Sequence, residues 1–306
     1  VFWMTVAGFF GMTLKLVECT LGQMYSKTNA DGTISGGGMY YIEQGFAEFG
    51  SPGLKALGKI MAVIFAILII GSAFGAGNMF QANQSFEVMR YVADIQYEYA
   101  PSIYGIILMI VVGFVIFGGI KRIGAWTSKI VPFMAGIYVL AALTVIFSNV
   151  TEVPAAFAKI FTLAFTPEAG MGGMIGVLIV GFQRASFSSE AGLGSAAIAH
   201  AAAKSKEPAR EGIVALLEPF VDTILICNMT ALVIVISGVT AEDAANVTGG
   251  VQPGAVMTKM AFEQTLSWFP YVLMVAVVLF AFSTMISWCY YGERAWIYLA
   301  DHFGDG

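Results

Sequence analysis

Apolar residues run along this chain in long stretches separated by short polar connections. A helix needs about 20 apolar residues to cross the hydrocarbon of a bilayer. Stretches of about that length or longer lie at 1–24, 55–90, 102–120, 129–149, 170–203, 212–238 and 268–292. The pattern predicts an all-α polytopic membrane protein, a single transmembrane domain over 1–306 with about seven spans of membrane length. Two stretches exceed one untilted crossing. The stretch 55–90 reads as one long tilted helix. The stretch 170–203 does not, because its middle, GFQRASFSSEAGLGS at 181–195, sets Gln183, Arg184, Ser188 and Glu190 inside apolar sequence.

Backbone polar groups in hydrocarbon must be hydrogen-bonded, so irregular backbone at depth survives only inside protein or beside a water-filled cavity. Residues 170–186 therefore read as one half-helix and 191–203 as another, with the joint at about 182–190 near mid-membrane. Ser188 or Ser189 can cap the second half, and Glu190 suits its first turn. Two half-helix ends put a negative and a positive dipole pole beside one cavity. An amino acid needs both, for its ammonium and its carboxylate, and discontinuous helices mark binding sites in many secondary transporters. Close packing through small residues accounts for Gly192 and Gly194, but not for Gln183, Arg184 and Glu190, which are costly at depth without polar surroundings. The joint makes Phe182, Gln183, Ser186, Phe187 and Ser188 the cavity candidates.

Lys and Arg collect in alternate connections: Lys27, Lys55 and Lys59; then Lys121, Arg122 and Lys129; then Lys204, Lys206 and Arg210; and Arg294 after the last span. The opposite connections hold only Lys159 and Lys259, with Arg90 at a helix edge. The positive-inside rule makes the first group cytoplasmic, so the first span runs from outside to inside. Trp3, Trp126, Trp268 and Trp296 near span ends suit the aromatic belt. Two connections are longer than a turn: 26–53, with SGGGMYYIEQGF, and 240–266, with TGGVQPGAVMTKMAFEQ. Each reads as an interfacial helix or loop, or as a gate over a substrate path. NVT at 246–248 matches a glycosylation sequon, a weak signal.

Composition agrees with a lipid solvent. Charged residues make up 11% of the chain and apolar ones 58%, against about a quarter charged in soluble domains. A net charge of −5 over 306 residues points to no nucleic-acid partner and no basic surface patch. Cys19, Cys227 and Cys289 lie in apolar stretches and read as packing residues, not a disulfide framework or metal site. No cofactor is expected. The opening Val1-Phe2-Trp3-Met4 has no charged leader and is not a signal peptide; it reads as the interior of a longer protein.

Further polar positions mark the spans. Asn78 and Gln81 share a helix face at i, i+3, either lining a cavity or gluing helices together. Ser283 and Thr284 fall mid-helix, where hydroxyls either ligate a hard cation or back-bond to their own helix. Glu218 and Asp222 stand at i, i+4. Asp222 can carry a coupling proton, pair with Arg184 or hold neighbouring helices. Lys15 and Glu18 read as an interfacial pair.

GFQRASFSSEAGLGS resembles a signature of the alanine or glycine:cation symporter family, with Ser189 where Asn is usual. FWMTVAGFFGMTLKLVECTLGQMY at 2–25, GGGMYYIEQG at 36–45, GNMFQANQ at 77–84 and LFAFSTMISWCYYGE at 279–293 resemble further family segments in the same order. The resemblance implies a partial LeuT-type inverted-repeat fold, with the chain covering helices two to eight. The family's first helix is then expected before Val1, and helices nine and ten after the end. It implies that Asn78 and Gln81 face the substrate cavity. It also implies a sodium site using the Ser283 and Thr284 hydroxyls and the Ala281 carbonyl. The implied protein is multi-pass in the prokaryotic cell (inner) membrane, with a small amino acid, sodium as coupling ion and the lipid bilayer as its partners.

The leading function is thus sodium-coupled symport of a small neutral amino acid, alanine or glycine, by alternating access. Proton coupling through Asp222 is the near alternative, and a passive channel a further one. An intramembrane hydrolase built on Ser188, Glu190 and His200 has poor geometry, since ten helical residues separate Glu190 from His200 by about 15 Å.

Overall fold

The computed structural model describes residues 1–29, 32–166, 173–248 and 254–303. In chain order the elements are α1 (Phe2–Met24), a hairpin of β1 (Lys27–Thr28) and β2 (Ile34–Ser35), α2 (Gly38–Glu48), α3 (Pro52–Ser72), a π-helical stretch Ala73–Met79 and α4 (Phe80–Val92). They continue with α5 (Ala100–Ile116), α6 (Gly119–Ser148), a 3₁₀ turn Val150–Glu152, α7 (Val153–Ala164), α8 (Gly173–Ser189) and α9 (Ala196–His200). The rest are α10 (Pro208–Pro219), a second π stretch Phe220–Ile226, α11 (Cys227–Ser237), α12 (Ala241–Thr248), α13 (Gly254–Glu263) and α14 (Phe269–Phe303). The two short strands pair antiparallel, Lys27 with Ser35.

Among the described residues five helical runs are long and apolar enough to cross a membrane: Phe2–Met24, Pro52–Val92, Gly119–Ser148, Pro208–Ser237 and Phe269–Phe303. The chain is a multi-pass membrane protein. The apolar α5 is shorter, at 17 residues. The run Pro52–Val92 is helical for 41 residues, about twice one crossing. Pro52, Pro101 and Pro208 start their helices, where a missing N–H costs nothing. Of the fifth apolar stretch, residues 170–172 lie outside the described residues, as do 249–253 of the connection 240–266.

The chain divides into two compact units. One comprises Val1–Ala73, Phe161–Cys227 and Tyr291–Gly306; the other comprises Phe74–Ile160 and Asn228–Tyr290. In the first, α1 lies against α8, α9 and α10 through a face of mostly small residues, with Ala7, Gly8, Gly11, Lys15, Glu18, Cys19 and Gly22 buried. Their spacing of three and four is one side of a helix. A methyl on Gly22 would sit 2.8 Å from the Ala197 carbonyl oxygen. One on Gly212 would collide with the Thr20 hydroxyl and the Leu16 carbonyl. These backbones approach as closely as glycine allows, the packing expected where lipid supplies no hydrophobic drive. Phe2, Trp3, Phe161 and Phe165 cluster at one end of α1, where the Trp3 indole donates to the Ala164 carbonyl at 3.1 Å. In the connection 26–53, α2 packs on α3, and Gly37, at φ 112°, passes against Ile198 of α9.

In the second unit Tyr138 bonds Thr230 at 2.5 Å and packs on Phe262, which meets Phe269. Tyr104 donates to Ser85 at 2.8 Å and leans on Phe86.

Candidate functional site

The interruption of the fifth apolar stretch begins later than its polar side chains suggest. α8 stays helical through Ser189, and the irregular backbone runs from Glu190 to Ser195, so the joint is not at 182–190. Helix tolerates Gln, Arg and Ser side chains because its backbone bonds stay internal. What ends it is handedness: Glu190, Gly192 and Gly194 have φ of 55°, 86° and 70°. Glycine adopts that region freely, whereas Glu190 is strained there. The Glu190 carboxylate is held by the Ser195 hydroxyl at 2.5 Å.

Neither serine at the end of α8 caps α9. Ser189 Oγ returns to the Ala185 carbonyl at 3.1 Å, and Ser188 points to another helix. Glu190 lies in the turn before α9, not in its first turn. On α8, Gly181, Ala185 and Ser189 form the buried side. A methyl on Gly181 would come 2.6 Å from Trp3 Cβ. Phe182, Gln183, Arg184 and Phe187 are exposed, and Ser186 and Ser188 are half-buried. Of the cavity candidates on α8, Ser188 is tied to a half-buried acid, Asp222.

Ser188 donates to Asp222 Oδ2, receives the Thr223 hydroxyl at 3.3 Å and contacts Cys227 Sγ at 3.3 Å. Asp222 and Thr223 lie in the π stretch and Cys227 directly follows it. A π turn bonds i to i+5, which brings Asp222 and Cys227, five apart, to the same hydroxyl. The π stretch thus aims an acid, a hydroxyl and a thiol at one side chain of α8. Asp222 pairs with Ser188, not with Arg184. Glu218, one turn earlier, reaches Lys15 of α1 at 3.1 Å.

Lys15 is fully buried, and its ammonium donates to the Ser189 carbonyl at 2.6 Å. Glu18 is also buried, beside the backbone N–H groups of Gly192 and Gly194, and its Oε2 has no hydrogen-bond partner. The interfacial pairing expected for Lys15 and Glu18 is therefore corrected: both are internal and engage the turn. The signal in the sequence was a Lys and a Glu one turn apart on the small-residue face of a membrane helix. Their partners, more than 170 residues away, were not readable there.

The hydrolase set does not assemble. Ser188 bonds Asp222, Glu190 bonds Ser195, and His200 Nδ1 bonds Glu211 Oε1 at 2.7 Å. The three cysteines are free thiols.

The other candidates lie in the second unit. Asn78 Oδ1 accepts from Cys289 Sγ of α14 at 3.5 Å, and Gln81 turns back to the Ala76 carbonyl at 3.3 Å. Asn78 falls in the π stretch Ala73–Met79, so the shared face expected at i, i+3 of a regular α-helix does not carry over. Gly77 abuts Trp288 of α14. Ala281 and Ser283 are buried and Thr284 is half-buried. Ser283 Oγ donates to the Phe280 carbonyl at 2.9 Å, the back-bonded arrangement of a mid-helix serine. Among the described residues no group of three or more His, Cys, Asp or Glu is placed to hold a metal ion.

The family model described as the sodium:alanine symporter family matches residues 1–304. The chain is 41% identical over 301 residues to the sodium/alanine symporter AgcS of Methanococcus maripaludis, covering 98% of this chain and 63% of that protein. It is 38% identical to the amino-acid carrier protein AlsT of Bacillus subtilis, covering 96% of this chain and 58% of AlsT. It is 33% identical to the probable sodium/glutamine symporter GlnT of the same organism, covering 96% of this chain and 57% of GlnT. The chain thus spans about three-fifths of the length of the curated relatives it matches.

Proposed function

Because this chain belongs to the sodium:alanine symporter family, a family of transporters and not enzymes, we propose that it serves sodium-coupled symport of a small neutral amino acid, alanine or glycine. Its setting is the prokaryotic cell membrane. The observation that carries the reading is the turn at Glu190–Ser195 inside an apolar helical stretch, with Ser188 beside it bonded to Asp222. Irregular backbone and an acid within an apolar helical run mark ligand and ion paths. The relatives add the chemistry: AgcS is named a sodium/alanine symporter and GlnT a probable sodium/glutamine symporter.

In this reading the fold is of the LeuT type, with seven spans standing as helices two to eight. Ser188 is the polar anchor of the substrate wall, with Phe182, Gln183, Ser186 and Phe187 on the same helix. Asn78 and Gln81 belong to the substrate path. Sodium binds at the Ala281 carbonyl and the Ser283 and Thr284 hydroxyls, whose neutral oxygens suit a hard cation. Sodium binding orders the site, amino acid follows, and the carrier reopens inward.

Proton coupling is the second reading, favoured by the Asp222 carboxyl on Ser188 and by the relative YrbD of Bacillus subtilis, named a putative sodium/proton-dependent alanine carrier protein. The test is uptake of labelled alanine by vesicles carrying the full-length protein under an inward sodium gradient, a proton gradient, or neither. Sodium-driven accumulation is expected. Equal, non-saturating flux under all three conditions would identify a passive channel and end the symport reading.

A further inference from the structure

Two ionisable side chains stand one turn apart inside α1, and neither faces solvent: Lys15 is 0% and Glu18 9% exposed. A charge at such depth is tolerated when it is matched. Each of these stands against a different part of the same interruption, and Lys15 is matched there by direct contacts. Ser189 is the last residue of α8, whose final carbonyls have no intrahelical donor and carry the negative end of the helix dipole. The Lys15 ammonium donates to the Ser189 carbonyl at 2.6 Å and is balanced by Glu218 at 3.1 Å. The Glu18 carboxyl lies beside the Gly192 and Gly194 amides of the turn that follows, with its Oε2 buried and unbonded. One turn of α1 therefore supplies a cation to the stranded carbonyl and an acid to the stranded amides. Ser188 is the residue immediately before the clamped carbonyl.

We propose that Lys15 and Glu18 are positioning residues for transport: acting together, they clamp the backbone from Ser189 to Gly194 and so hold the Ser188 hydroxyl on Asp222. The poles exposed by the interruption are compensated from within the chain. The interruption then serves the substrate through the hydroxyl that it aims, not through its own backbone ends. This inference rests on the symporter reading for its consequence in transport, but not for the clamp itself.

The test joins hydrogen–deuterium exchange of the 189–195 amides with alanine uptake, in the full-length protein, for Lys15→Met, Lys15→Arg and Glu18→Leu. Lys15→Met and Glu18→Leu are expected to speed exchange in this turn by about tenfold or more, the equivalent of one charge-assisted hydrogen bond. Both raise the KM for alanine by a similar factor with little change in kcat per folded transporter. Lys15→Arg, which keeps the cation, restores both readouts most of the way. A merely structural role lowers the amount of folded carrier and leaves KM unmoved. Unchanged exchange in Lys15→Met overturns the clamp whatever uptake does. Faster exchange in a protein whose wild type shows no sodium-driven uptake supports the clamp and removes only the symporter reading. If Lys15→Met does not accumulate, Glu218→Gln gives the same comparison, because it strips the ammonium of its half-exposed counter-charge. Wild-type exchange and KM in that variant together with Glu18→Leu overturn the proposal.

Discussion

The Ser188 hydroxyl donates to the Asp222 carboxyl, 34 residues further along the chain, and joins α8 to the π stretch before α11. Ser188→Ala leaves a half-buried acid without its donor, a loss of about 1–3 kcal/mol. Asp222→Asn keeps the shape and a hydrogen-bonding group, so it costs less stability. The double variant is expected to be more stable than the sum of the single losses, because the group that has lost Ser188 is then a neutral amide and not an acid. Thermal unfolding of the four proteins in one detergent checks this. Strict additivity would mean that the two groups do not interact.

Gly212 of α10 meets the Thr20 hydroxyl and the Leu16 carbonyl of α1 with no room for a methyl. Gly212→Val is expected to cost about 1–3 kcal/mol or more through forced separation of the two helices. Gly105 of α5 has no atom within 4 Å of a would-be methyl. Gly105→Ala is therefore neutral or stabilises by up to about 1 kcal/mol through a less free unfolded chain. Opposite signs in thermal midpoint check the pair.

The helical stretches were legible because length and hydropathy alone decide which segments leave water. The interruption was also legible in kind, since polar residues and glycines crowd 181–195. Its position was not. Polar side chains from Gln183 to Ser189 do not break a helix when the backbone remains bonded, and left-handed φ begins only at Glu190. Ser188 was legible as a candidate, but its partner was not, because the π stretch at Phe220–Ile226 leaves no mark in residue type and rotates Asp222 relative to a regular helix. The same effect at Ala73–Met79 undid the shared face of Asn78 and Gln81. Lys15 was misread because burial depends on α8 and α10, distant in sequence.

Thr240 and Asp243 form a reciprocal cap at the start of α12. Asp243 accepts from the Thr240 N–H at 2.8 Å and its hydroxyl at 2.6 Å, while the Thr240 oxygen accepts the Asp243 N–H at 3.1 Å. The Thr240 hydroxyl, then its backbone N–H, hold the Asp243 carboxyl below its ordinary 3.8. A group depressed on folding contributes stability above its unfolded pKa and loses it as pH falls through the folded one. Exchange protection of 241–248 is expected to be full at neutral pH, to start falling as pH drops below about 4, and to vanish below the folded value. Thr240→Val removes the acceptor and the hydroxyl donor and should flatten that dependence. Protection that persists unchanged into strong acid would show that the cap contributes nothing.

Ser283 and Thr284 give the sharpest division between a structural and an ion-binding role. In this structure the Ser283 hydroxyl is spent on the Phe280 carbonyl, within its own helix. Such a bond adds little to helix stability, so Ser283→Ala leaves the thermal midpoint nearly unchanged. If the pair ligates sodium, the hydroxyl must leave Phe280 when the ion binds, and its loss removes one oxygen from the coordination sphere. The expected result is then a rise of about tenfold or more in the sodium concentration for half-maximal uptake, a change of about 1.4 kcal/mol. Thr284→Ser, which keeps the oxygen, should lie near wild type, and Thr284→Val, which keeps the shape, should match Ser283→Ala. Comparing the two Thr284 variants separates packing from coordination: equal sodium dependence in Thr284→Ser and Thr284→Val places the ion elsewhere and leaves Ser283 as a back-bonded helix residue.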